Sequence, residues 1–304
     1  MVNRILFSGA SGMLGTALRH SLAAKCETYQ LIRSHPESHK EIVWNPESEL
    51  PFAETSALEG FSAVIHLSGA NLAGKRWTPA YKRELVESRV TTTQSLSQAL
   101  ASLRQPPQVY IVASASGIYG DRGDELLNES SAPGQGFLAD LCRAWEQAAA
   151  PAKEAGIRVI HLRTGVVIGP DTGSGGGALA KMLPIFRLGL GGPLGSGRQW
   201  MSWIALPDWV AAVHFLLKQE SLAGPINLVS PNPVTSTRFA HALGHAVHRP
   251  AILRAPAFAL RLAMGQMADE ALLASERVIP KRLLDAGFTF RDPTINEALR
   301  AALD

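Results

Sequence analysis

The chain has 304 residues, 46% hydrophobic and 18% charged, a balance that excludes a disordered or fibrous chain and allows a sizeable core. Its 29 basic and 26 acidic residues leave a net charge of +3, and no run of five or more basic residues occurs, which argues against nucleic acid as a partner. Two cysteines, Cys26 and Cys142, give no disulfide framework and suit a reducing cytoplasm, and no apolar stretch approaches the ~18 residues of a membrane span.

The apolar run at 2–8 reads as a first strand and 13–24 as its helix. Between them lies Ser8-Gly9-Ala10-Ser11-Gly12-Met13-Leu14-Gly15. Glycine at 9 and 12 lets the backbone turn tightly and approach a pyrophosphate, whose charge then sits on the helix N-terminus; Gly15 lets the helix pack close to the strand. Arg4 and the apolar residues after it superficially resemble a signal peptide, but the three glycines break that stretch, and a binding loop accounts for them. The second strand, 29–34, ends in Arg33 and Ser34, where an NAD binder would place a carboxylate for the ribose 2′-hydroxyl. A guanidinium offers paired donors to a 2′-phosphate, so NADP is the expected cofactor; the plain alternative is a solvated arginine at a strand end.

A short strand is expected at 42–44 and a fully apolar one at 63–67, ending Leu67-Ser68-Gly69-Ala70. Residues 79–103 read as one helix, 109–114 as a strand, 137–154 as one long helix and 159–163 as a strand. This alternation predicts a Rossmann-type, doubly wound parallel sheet covered on both faces. The rhythm breaks at Gly165. Gly173 to Gly177 and Gly189 to Gly197 are glycine-rich, so substrate-side loops are expected near 170–200 at the carboxyl edge of the sheet. A helix at 208–217 and a last strand at 225–229 follow. Helices at 237–247, 257–264, 268–273 and 295–303 then make a small, mostly helical C-terminal subdomain. The division is therefore 1–234 for the NADP-binding domain and 235–304 for the subdomain, packed against the ligand cleft.

The glycine spacing, the strand ending Leu67-Ser68-Gly69-Ala70 and the run Ser114-Ala115-Ser116-Gly117-Ile118-Tyr119-Gly120-Asp121 together resemble the extended short-chain dehydrogenase/reductase superfamily. Lys75-Arg76-Trp77, Ser88-Arg89-Val90, Gly191-Gly192-Pro193-Leu194-Gly195-Ser196-Gly197, and the tail Leu253-Arg254-Ala255-Pro256 through Ser275-Glu276-Arg277-Val278 narrow this. The whole is similar to an atypical, NADP-binding epimerase family, some of whose members carry a cell-division-inhibitor label. The resemblance implies contacts to NADP from Gly9, Ser11, Gly12, Met13, Leu14, Gly15, Arg33, Ser34, Leu67, Ser68, Gly69 and Ala70. It further implies contacts from Arg89, oriented by Glu84, and from Val166 beside the nicotinamide. The superfamily's usual tyrosine and lysine, four residues apart on one helix, would fall at Leu138 and Cys142. Neither residue can supply their chemistry.

Tyr119, with Ser114 or Ser116, is the remaining candidate for proton chemistry, against a purely structural role for the tyrosine in closing its turn. Asp121, Arg122, Asp124 and Glu125 read as turn-formers, Glu146 as a helix-surface charge and His66 as a satisfied core histidine. The histidines form no metal-ligand grouping, so no metal is expected. Arg76, Trp77, Arg198, Trp200 and Trp203 either grip a second ligand or pack the subdomain. Two functions stay open: an NADP-dependent epimerase or oxidoreductase acting on a small polar molecule such as a nucleotide-linked sugar, or an NADP(H)-sensing regulatory protein without turnover. Relatives of this fold pair through their long helices, which implies a homodimer.

Overall fold

The computed structural model describes residues 4–48, 51–52, 54–170 and 177–303. β1 (Arg4–Ser8) turns into α1 (Met13–Leu22), followed by β2 (Glu27–Ile32), β3 (Glu41–Val43) and β4 (Ala63–His66). Next come α2 (Pro79–Glu87), α3 (Val90–Ala101) and β5 (Val109–Ala115), which runs into a 3-10 turn, Ser116–Tyr119. β6 (Leu126–Leu127), α4 (Phe137–Gln147), α5 (Ala150–Glu154), β7 (Arg158–Thr164) and β8 (Val166–Ile168) follow. The chain continues through α6 (Ala178–Arg187), β9 (Trp200–Met201), β10 (Trp203–Ala205), α7 (Leu206–Lys218) and β11 (Gly224–Leu228). Beyond lie β12 (Val234–Thr235), α8 (Ser236–Ala246), α9 (Ala257–Met264) and a π-helical turn at Ala268–Leu273. β13 (Arg277–Val278), α10 (Lys281–Asp285) and α11 (Ile295–Leu303) complete it.

Seven strands form one parallel sheet in the order β11-β7-β5-β4-β1-β2-β3, the doubly wound Rossmann arrangement expected from the sequence. The strand order reverses at β1, so the crevice at its carboxyl end, beside β4, is where this fold binds ligands. Side-chain alternation builds a core on each face. Ile5, Phe7, Ile65 and Ile111 pack with Leu18 of α1 and Trp209 of α7, whereas Leu6, Val64, Tyr110 and Val112 pack with Leu96, Leu100 and Trp145.

The tail is tied to this unit by hydrogen bonds and by shared cores. β12 pairs with β9, β13 pairs with β6, and Asp208 at the start of α7 accepts from the Arg291 and Asp292 amides. Among the described residues no helix is long and apolar enough to cross a membrane.

Four departures from the sequence reading have local causes. The helix expected over 79–103 breaks at Ser88-Arg89, where Ser88 Oγ accepts from the Ala70 amide and Thr92 Oγ1 donates back to the Ser88 carbonyl at 2.8 Å, side-chain bonds that compete with the helix. The helix over 137–154 breaks after Gln147, because Pro151 has no amide to continue the ladder. Residues 178–187, expected as loop, form α6 despite Pro184 within it. Most of the glycine run at 173–177 lies outside the described residues, as do residues 2 and 3 of the expected first strand. Finally, Lys281–Asp285 is a short helix that no signal in the sequence reading marked.

His66, at the end of β4, is fully buried: Ser8 Oγ bonds its Nδ1, and Thr92 Oγ1 lies 3.5 Å from its Nε2. Burial pushes the imidazole down to about 3, so the folded ring stays neutral where an unfolded one would protonate. The unfolded chain therefore binds more protons as the pH falls, and stability drops by about 1.4 kcal/mol per unit below the ordinary histidine range. Urea unfolding of His66→Asn should show a pH slope shallower by about that amount between about pH 4 and 6. An unchanged slope would mean that other groups carry the acid sensitivity.

Candidate functional site

The turn between β1 and α1 is built around close backbone approach. Gly9 has φ +69°, and a Cβ on it would lie 2.6 Å from the Leu67 carbonyl carbon; one on Gly15 would lie 2.3 Å from the Gly9 oxygen. The turn thus packs directly on the end of β4, while Ser11 and Gly12 stay exposed and Met13 and Leu14 half-buried. Gly12 caps α1 without a side-chain acceptor, and the first turn carries no acid, so its amides and the helix dipole face the crevice uncompensated. A pyrophosphate fits this cradle. Arg33 and Ser34, just past β2, are exposed.

Arg89, at the break between α2 and α3, is partly buried. Its guanidinium donates to the Ala70 carbonyl at 2.9 Å and the Leu85 carbonyl at 3.2 Å, stacks over Trp145 at 5.1 Å, and would touch a Cβ on Gly69 at 3.2 Å. Glu84 does not orient it, contrary to the sequence reading. That carboxylate pairs instead with Lys75 at 3.1 Å on the exposed side of α2. Arg89 is held by these two carbonyls and, at 3.5 Å, by the Ser88 hydroxyl, and desolvation holds its pKa below the ordinary guanidinium value. Cys142, on α4, lies close enough to Arg89 to feel its charge, yet burial pushes the thiol up to about 12.

Glu146 is no surface charge. It pairs with Arg163 through two bonds of 2.8 and 2.9 Å, the Arg163 side chain being 8% exposed and that of Glu146 14%. Burial alone would raise the acid, but the Arg163 hydrogen bonds and charge outweigh it and hold the carboxyl below its ordinary range. Ser114 Oγ donates to the same carboxylate at 2.8 Å. Arg163 Nη1 donates to the Tyr119 oxygen at 3.0 Å, and the Tyr119 hydroxyl donates to Asn227 Oδ1 at 2.8 Å. Tyr119 is fully buried and its phenol is pushed above the ordinary range by that burial. The structure therefore places Ser114 and Tyr119 together in an internal network with Glu146, Arg163 and Asn227. Sequence reasoning missed Arg163 and Asn227, although charged and polar residues inside apolar strands were the available signal.

Ser116 goes elsewhere. The strand has ended there, and its Oγ donates to Glu276 Oε2 at 2.6 Å. Glu276 belongs to the tail, and burial raises its carboxyl to about 7. Beside this pair lies a pocket of about 280 Å³ lined by Gly117, Asp121, Leu138, Glu270, Leu273 and Ala274, among others. Glu270 also accepts from the Leu138 amide at 2.8 Å, closing the N-terminus of α4 that Gly136 leaves uncapped.

The polar loop after Tyr119 docks the tail as well as turning the chain. Asp121 Oδ1 accepts from the Ser275 amide, and Asp124 Oδ1 from Trp200 Nε1 at 2.7 Å. Of the aromatic candidates, Trp77 and Trp203 are buried, donating to the Leu72 and Asn232 carbonyls, and serve packing. Trp200 remains half-buried under Arg277, and Arg76 reaches the Leu262 carbonyl on α9. Val166, in β8, is half-buried and hydrogen-bonded to Ser202.

Residues 5–228 match the model of the NAD dependent epimerase/dehydratase family. The chain belongs to that family. A domain of unknown function, DUF1731, matches residues 255–302, so the tail residues at the pocket all fall within it. The chain is 45% identical over 301 residues to an epimerase family protein of Mycobacterium bovis, covering 98% of this chain and 97% of the relative. Human epimerase family protein SDR39U1, solved with NADPH, superposes with a TM-score of 0.88 at 31% identity, covering 98% of both chains. A nucleoside-diphosphate sugar epimerase of Corynebacterium glutamicum gives a TM-score of 0.81 at 33% identity, covering all of this chain and 58% of that one. In this epimerase-family chain α4 contains neither tyrosine nor lysine.

Removing one partner of the buried pair should be costly. Arg163→Met leaves the Glu146 carboxylate desolvated and unpaired, with an expected loss of about 3–5 kcal/mol in urea unfolding. Adding Glu146→Leu should recover a large part of that loss; a single variant as stable as the wild type would show that solvent already reaches the pair.

Proposed function

We propose that this chain binds NADP(H) in the β1–α1 turn and couples it to epimerase- or oxidoreductase-type chemistry on a small polar molecule, a nucleotide-linked sugar being the leading class. The observation that carries this reading is the Gly9–Gly15 cradle, with its uncapped helix N-terminus packed against the end of β4. Arg33 and Ser34 would hold the 2′-phosphate. Leu67, Ser68, Gly69 and Ala70 would line the ribose side, Arg89 would face the cofactor's negative charge, and Val166 would border the nicotinamide. The NADPH in human SDR39U1 and the naming of the Corynebacterium glutamicum neighbour as a sugar epimerase support the same assignment. The nicotinamide, when bound, supplies or accepts a hydride.

The protein's part is to orient the substrate and to manage protons. Among the hydroxyls considered for that work, we assign it to Ser116, because Ser114 and Tyr119 are committed to the Glu146–Arg163 network. The absence of the usual tyrosine and lysine favours a second reading, an NADP(H)-sensing protein whose tail reports cofactor binding.

Titration with NADPH and NADH, followed by nicotinamide fluorescence, tests the cofactor. NADPH should bind more tightly, and Arg33→Ala should weaken NADPH by about tenfold while leaving NADH unchanged, as expected for an exposed charge-assisted contact. Equal affinities in the wild type would remove Arg33 from the argument. Consumption of NADPH with nucleotide sugars or simple carbonyl compounds would separate the enzyme from the sensor.

A further inference from the structure

The acids inside this protein are not alike. Glu146 is paired with Arg163, Glu129 accepts from the Asn227 and Arg282 amides, and Asp208 from the Arg291 and Asp292 amides. Donors of that kind favour the charged form; they hold Glu146 below its ordinary range, while at Glu129 and Asp208 they only partly offset burial, which still raises both. Glu276 has a different setting. Among the described residues the hydrogen-bond partner of its carboxylate is one hydroxyl, that of Ser116 at 2.6 Å. The acidic Asp121 is close enough to disfavour its charge, and Cys142 of α4 lies near it as well. The neighbouring Arg277 places its guanidinium over the Trp200 ring at 4.5 Å.

The backbone at Glu276 is fixed. Its amide donates to the Trp200 carbonyl at 3.0 Å, and Ser202 Oγ donates to its carbonyl at 2.6 Å while accepting from the Val278 amide. The pair also stands in the right place. Ser116 follows directly on β5, next to β4 in the sheet, and Gly117 and Ala274, close in the chain to each member, line the 280 Å³ pocket. Cys142 lies within electrostatic reach of both Arg89 and Glu276, so the carbonyl-held cation and the lone acid flank the same stretch of α4.

We propose that Ser116 and Glu276 are the proton-transfer pair of this site, Ser116 meeting the substrate oxygen and Glu276, a positioning residue, storing the proton behind it. This rests on the cofactor reading above. When a substrate carbonyl carbon gains a hydride, its oxygen must gain a proton. The Ser116 hydroxyl gives its proton to that oxygen, takes one from the Glu276 carboxyl, and the carboxylate is recharged from solvent. In the oxidative direction the alcohol proton passes to Ser116 as Ser116 hands its own to the Glu276 carboxylate. A carboxyl that titrates at about 7 can serve both directions at neutral pH. The family's C-terminal segment would thus supply the group that α4 lacks.

The test uses the full-length chain, Glu276→Gln and Ser116→Ala. Carbon-13 NMR of glutamate-labelled protein should show one carboxyl titrating between about pH 6 and 8, absent in Glu276→Gln and shifted in Ser116→Ala. With 9,10-phenanthrenequinone as a carbonyl probe, NADPH oxidation by the wild type should fall above about pH 7. Glu276→Gln should keep its NADPH Kd, lose about 100-fold in rate and lose that pH dependence. No glutamate titrating in that range overturns the proposal, as does a Glu276→Gln protein with the wild-type rate and profile. A wild type that binds NADPH but oxidises none with the probe also overturns it and leaves the cofactor reading standing; failure to bind NADPH overturns that reading instead.

Discussion

Burying a carboxylate or a guanidinium without a partner is costly, and the pairing of Glu146 with Arg163 ties together one end of the sheet, from β5 through β7 to β11. The pair clamps α4 onto β7, draws in Ser114 from β5, and through Tyr119 and Asn227 reaches β11. Three adjacent strands and one helix are thereby cross-linked by side chains as well as by backbone. With α4 fixed in this way, Cys142 lies within electrostatic reach of both Arg89 and Glu276, and Leu138 helps to line the pocket.

Two serines two residues apart have separate fates for a simple geometric reason. Ser114 is still in the strand, and its side chain follows the pleat toward α4. Ser116 lies in the 3-10 turn, where the backbone has left the pleat, and its hydroxyl turns to the tail. Strand alternation would put residues 114 and 116 on one face, but it holds only while the strand lasts.

The sheet was legible because each parallel strand is an apolar run with turn residues after it, and the glycine turn was legible because its position between strand and helix is fixed by backbone geometry. Helix continuity was not. Ser88 and Thr92 act through side-chain hydrogen bonds and Pro151 through the amide it lacks, none of which a periodic pattern registers. At the site, Gly9 and Gly15 could be read directly, whereas Glu84 misled because proximity in sequence on a helix does not say which way Arg89 turns. Glu276 lies 160 residues from Ser116, and only the tertiary fold brings such partners together.

Glu270 lends its carboxylate to the first turn of α4, a helix that begins more than a hundred residues earlier and has no cap of its own. During synthesis on the ribosome, α4 emerges long before that carboxylate does. Its N-terminal amides must remain solvated until Glu270 emerges, so α4 gains its cap only after every strand of the sheet has been made. A chain shortened before Glu270 would carry all seven strands of the sheet and still leave the helix that walls the pocket open at its start.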